Sequence, residues 1–107
     1  MLTIKTWNIE AMTGYKPMTT FYEDFSIAGR FGVDAVRDTY RRAFRMWKSD
    51  YKYLTELVMA LNWKIFEHYG RNDKLAKVYN ELWKDADQYA CDNLKGDELS
   101  YFYSTTD

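Results

Sequence analysis

Apolar residues recur at three- and four-residue steps along most of the chain, and two-residue alternation is confined to its start. In YKYLTELVMALNWKIFEHYG, residues 51–70, Leu54, Leu57, Val58, Leu61 and Ile65 share one face of a helix. At about 100° per residue, Met59, Trp63 and Phe66 form a second apolar cluster roughly opposite the first. A helix apolar on two sides is either central in its bundle or lends one side to a partner chain.

The remaining elements arrange themselves around this segment. Leu2, Ile4 and Thr6 alternate with Thr3, Lys5 and Trp7, which predicts a strand over residues 2–10. A single strand cannot satisfy its own backbone, so it is expected to lie on the helices as an arm or to pair with another copy of the chain. Gly14 and Pro17 mark residues 12–18 as a loop. Thr20 and Glu23 have capping-box spacing and predict a short helix over residues 21–30, ended by Gly32. Asp34 suits the cap of the next helix, which runs to about residue 48 with Val36, Tyr40, Ala43, Phe44 and Trp47 inward.

Ser49 or Asp50 can cap the central helix, and Gly70 breaks the chain after it. Asn72 or Asp73 caps a last long helix to about residue 95, whose inward stripe is Leu75, Val78, Tyr79, Leu82, Ala86, Tyr89 and Ala90. Gly96 suits the position just past that helix. The tail DELSYFYSTTD carries Tyr101, Phe102 and Tyr103 together and is expected to dock. The fold class that follows is all-α: an antiparallel bundle of three long helices plus a short leading helix. Residues 1–19 form an extended arm and loop, 20–95 the helices and 96–107 a docked aromatic tail, all in one domain.

Composition sharpens this in two places. At 107 residues and 12.9 kDa the chain can bury roughly two-thirds of its unfolded surface in one core. Aromatic residues make up 19%, so some of these large rings must reach the surface. The net charge of −1 gives no global field towards nucleic acid or an anionic membrane. Cys91 is the single cysteine, which rules out an internal disulfide and fits a reducing compartment. No apolar run approaches the ~18 residues of a membrane span, and no basic start precedes an apolar stretch. The expectation is a cytoplasmic protein.

Candidate chemistry is sparse. His68, the single histidine, falls at the edge of the buried stripe, and Glu67 points about 100° away around the helix and cannot orient it as a base. Cys91 lies near a helix C-terminus beside Asp92, where the field disfavours thiolate. Glu81, Asp85 and Asp92 follow helical spacing but lack the dense ligand loop of a calcium site or a Glu-x-x-His pair. The residues therefore indicate no catalytic group, cofactor or metal, and the expected activity is non-enzymatic.

A basic stripe is more distinctive. Arg37, Arg41, Arg42 and Arg45 fall within nine residues, with Arg30 and Lys48 flanking them and Tyr40 and Trp47 close in sequence. Such a stripe can hold phosphates and stack bases, or meet an acidic protein surface. From Glu81 onward seven acids oppose two lysines, so an intramolecular or head-to-tail contact is available. IAGRFGVDAV superficially resembles a helix-turn-helix motif, but Asp38 stands where that motif needs an apolar core residue.

YKYLTELVMALNWKIFEHY together with LAKVYNELWKDADQYACDNLKGDELSYFYSTTD resembles a group of small helical proteins encoded in bacterial phage and mobile-element regions, and the similarity extends back to TTFYEDFSIAGRFG. The resemblance implies a cytoplasmic accessory protein and supplies no functional residue. Two functions are then expected in order. The first is protein–protein contact through self-association, a dimer by preference, with Met59, Trp63 and Phe66 at the interface. The alternative is nucleic-acid binding through Arg37, Arg41, Arg45 and Lys48.

Overall fold

A computed structural model describes residues 17–71 and 73–106, with side chains from Thr20 onward. The strand expected over residues 2–10, the first part of the loop after it and the possible cap at Asn72 lie outside the described residues. Within them the chain is helical, with no strand: α1 (Pro17–Gly29), α2 (Val33–Trp47), α3 (Tyr51–Glu67), α4 (Lys74–Asn93) and α5 (Asp97–Thr106).

The leading helix begins earlier than its capping signal suggests. Thr20 lies inside α1 with its side chain buried, so it does not cap. The helix opens at Pro17 instead, where a fixed φ suits the first turn and no amide is lost. The last part of the expected loop is therefore helical, and α1, at 13 residues, is nearly as long as α2 at 15. Its Phe21 and Phe25 are fully buried.

Gly32 takes over the role expected of Asp34. With φ 110 and ψ −178 it occupies backbone space open essentially to glycine alone, and Val36 N–H donates to its carbonyl. Asp34 sits in the first turn, where its charge complements the helix dipole without capping. Val36, Tyr40 and Ala43 are buried, and Phe44 and Trp47 pack at the margin of the core.

The caps of α3 and α4 come from aspartates. Asp50 Oδ1 accepts from the amides of Lys52 at 3.1 Å and Tyr53 at 3.2 Å, and Asp73 Oδ1 accepts from Ala76 at 2.7 Å. That amide bond is the main influence holding the Asp73 carboxyl below the usual range.

Helix α3 packs against each of the other four helices. Its buried arc is wider than the apolar stripe alone, taking in Thr55 on one side and Ala60 and Lys64 on the other beside Leu54, Leu57, Val58 and Leu61. Across from it α4 contributes Val78, Tyr79, Leu82, Ala86 and Ala90. The Tyr79 side chain of α4 reaches the end of α1, where a Cβ on Gly29 would stand 3.3 Å from Tyr79 Oη. The Tyr79 hydroxyl donates to the Phe25 carbonyl at 3.2 Å, and the two rings meet edge to face.

The aromatic tail docks, and it does so as a helix. Asp97 and Glu98 in the first turn of α5 complement its dipole, Phe102 is fully buried, and Tyr101 packs edge-on against Tyr51 of α3. Tyr103 remains exposed.

Candidate functional site

Met59, Trp63 and Phe66 share one strip of α3, and the structure leaves that strip largely uncovered. Trp63 is 52% exposed and Phe66 63% exposed, with their rings packed edge to face at 6.4 Å between centroids. Met59 is half-buried at the rim of a cavity. The strip continues into the turn after α3, where Tyr69 is 83% exposed.

Two further exposed apolar side chains stand near the end of α1, Ile27 in its last turn and Phe31 just beyond it. That end is tied to the same half of α3, because Lys64 Nζ lies 3.0 Å from Ser26 Oγ. Sequence periodicity does not single out either residue, since Ile27 stands outside the face that α1 buries and Phe31 lies past its end.

The basic stripe is partly consumed by the chain itself. Arg37 pairs with Glu81 of α4 at 3.1 Å, Arg42 with Asp38 at 3.5 Å, and Lys48 lies over the Phe44 ring. Tyr40 donates to Asp85 at 2.5 Å, and burial together with that carboxylate raises its pKa well above the usual phenol range. The basic and acidic segments thus meet between α2 and α4. Arg41 and Arg45 are exposed and make no ion pair among the described residues. With Tyr40 and Phe44 they line an open groove of 460 Å³.

Lys64 is the charged residue that sequence reasoning passed over. It is 5% exposed, and its ammonium donates to Glu67 Oε1 at 2.8 Å and to Ser26. The Tyr22 and Tyr79 rings flank it at 4.9 and 5.6 Å. Burial pulls its pKa below the ordinary lysine value, while the carboxylate and the two ring faces favour the charged form. The signal was present in the spacing. Lys64 follows Leu57, Ala60 and Leu61 by seven, four and three residues, which places it on their face.

His68 caps the C-terminus of α3 and stacks obliquely on Tyr79 at 5.4 Å. Its Nδ1 lies 3.5 Å from Asp73 Oδ2, near enough for attraction but outside hydrogen-bond geometry. Cys91 Sγ approaches Tyr103 Oη at 3.7 Å. Glu81, Asp85 and Asp92 are each engaged by a neighbour: Arg37, Tyr40 and Gln88 respectively.

Among the described residues no three His, Cys, Asp or Glu side chains gather where they could hold a metal ion. No described helix is long and apolar enough to cross a membrane. The fold places the chain among all-helical proteins, and no more specific class follows from it. No family model, curated protein or solved structure matches the chain.

Proposed function

We propose that the chain acts as a cytoplasmic, non-enzymatic protein by contact with a second copy of itself, through the strip of α3 that carries Met59, Trp63 and Phe66. What supports this is the side-by-side exposure of Trp63 and Phe66 on the helix that is otherwise the most enclosed. Burying each such ring is worth roughly 1.5–3 kcal/mol, so a paired strip has a large incentive to close. A dimer related by a two-fold axis would lay the same strip against itself. In this arrangement α2, α3 and α4 run antiparallel, as their connections of three and six residues favour.

Sedimentation at micromolar concentration tests the proposal. A dimer that Trp63→Asp converts to monomer is the expected result; a wild-type monomer that the substitution leaves unchanged overturns it.

Nucleic-acid binding is the second reading, supported by Arg41 and Arg45 standing exposed beside Tyr40 and Phe44. Internal pairing of Arg37 and Arg42 weakens it. It requires a low-salt mobility shift with mixed DNA and RNA that disappears when Arg41 and Arg45 become alanine.

A further inference from the structure

Between α3, α4 and α5 the packing leaves a partly enclosed cavity of 290 Å³. Met59 and Trp83 supply apolar wall, and Asn62, Asp87, Cys91 and Tyr103 bring polar atoms to it. Two of those four are already in contact, since Cys91 Sγ and Tyr103 Oη lie 3.7 Å apart. Asn62 and Asp87 are different. Both are half-buried, and neither has a hydrogen bond or ion pair among the described residues.

A carboxylate drawn away from water without a partner is costly, and burial accordingly raises the Asp87 pKa. A ligand that supplies the missing cation recovers that cost. An anion does not fit: among the side chains that line the cavity the charged one is Asp87, so the lining carries negative charge with no cation to oppose it. A metal ion would need at least three side-chain ligands, and no such group is present among the described residues. The volume lies at the lower end of ligand pockets, which suits a molecule of about ten heavy atoms.

We propose that this cavity binds a small primary ammonium compound with an aromatic body, its charged nitrogen held by Asp87 and the Asn62 side-chain carbonyl and its ring against Trp83 and Met59. The ammonium has three donors, and the two acceptors face it from different helices, α3 and α4. Trp83 adds a ring face that favours cationic ligands.

The full chain titrated with 2-phenylethylammonium, followed by amide chemical shifts, tests the proposal. Saturable shifts at Asn62, Asp87 and Cys91 are expected, with the neutral analogue 2-phenylethanol binding about tenfold or more weakly. Asp87→Asn is nearly isosteric and removes an unpartnered charge, so it keeps the fold; it should reduce ammonium binding to the level of the alcohol. Should that variant fail to give a folded spectrum, Asn62→Ala replaces it and weakens the ammonium alone. No saturable shift at about 10 mM, equal binding of the ammonium and the alcohol, or undiminished binding by the variant would each overturn the proposal.

Discussion

The two sides of α3 are built from similar residues and end in different environments. On one, Leu54, Leu57, Val58 and Leu61 are sealed by helices that reach them from every direction; on the other, Trp63 and Phe66 meet water. Residue type does not separate them, because tryptophan and phenylalanine are at least as apolar per side chain as leucine. Only the number of neighbouring helices does. Four helices cannot encircle a fifth completely when one of them, α5, is ten residues long and docks near the start of α3 through Tyr101 and Tyr51.

Truncation on the sealed side should have the largest effect. Leu61→Ala removes a fully buried side chain from a close-packed site and is expected to lower unfolding free energy by about 3 kcal/mol in urea denaturation. A loss under about 1 kcal/mol would mean that this side is loosely packed and that the contrast with Trp63 is overstated.

Much of the sealed side was legible in spacing alone. The stripes of α2, α3 and α4, the Asp50 and Asp73 caps and the turn at Gly32 all follow from local rules, because each depends on residues within a turn or two of one another. The start of α1 departs from its local signal for a related reason. Thr20 and Glu23 offer a cap, but burial of Thr20 against the core outweighs it, and Pro17 supplies the alternative start. The three adjacent aromatics of the tail signal docking, whereas its helical form rests on the less conspicuous acidic first turn of Asp97 and Glu98. The pairings Arg37–Glu81 and Lys64–Ser26 join residues 44 and 38 apart and had no local signature. The cavity beside Asn62 and Asp87 belongs to the same class, being a gap between helices rather than a property of any one of them.

Lys64 lies on the boundary between the two sides, and its variants separate packing from charge. Lys64→Ala leaves a void between α1 and α3 and is expected to cost about 2 kcal/mol. Lys64→Met keeps the stem and frees Glu67 to solvent, so its cost should stay within about 1 kcal/mol. Equal losses in the two variants would place the contribution in the ammonium rather than in the stem.

Tyr79 extends the comparison to pH. Its hydroxyl bonds the Phe25 carbonyl, so Tyr79→Phe should cost about 1 kcal/mol near neutrality. Burial, with smaller contributions from Glu67 and Asp73, pushes its pKa from 10.0 up to about 12. An acid whose folded pKa is raised favours the native state while it stays protonated. Above pH 10 the unfolded chain ionises first, and this contribution is lost progressively towards about pH 12. The deficit of the phenylalanine variant should therefore shrink over that window. A deficit that stays constant there would assign the alkaline loss to other groups, with Tyr40 the first to examine.

The smallest effect on folding is expected from the residue on which the proposed self-contact depends most. Trp63 is half exposed and its ring contact is with Phe66, which is itself exposed, so Trp63→Asp removes little that the isolated chain relies on. Surface substitutions of this kind change unfolding free energy by about 0.5 kcal/mol or less. Measured at a protein concentration well below that of association, the variant and the wild type should unfold at nearly the same urea midpoint. At high concentration only the wild type should gain stability, because a partner that binds the native state alone shifts the unfolding equilibrium by mass action. A variant destabilised equally at all concentrations would place Trp63 in the fold of a single chain, and the two sides of α3 would then differ in exposure but not in role.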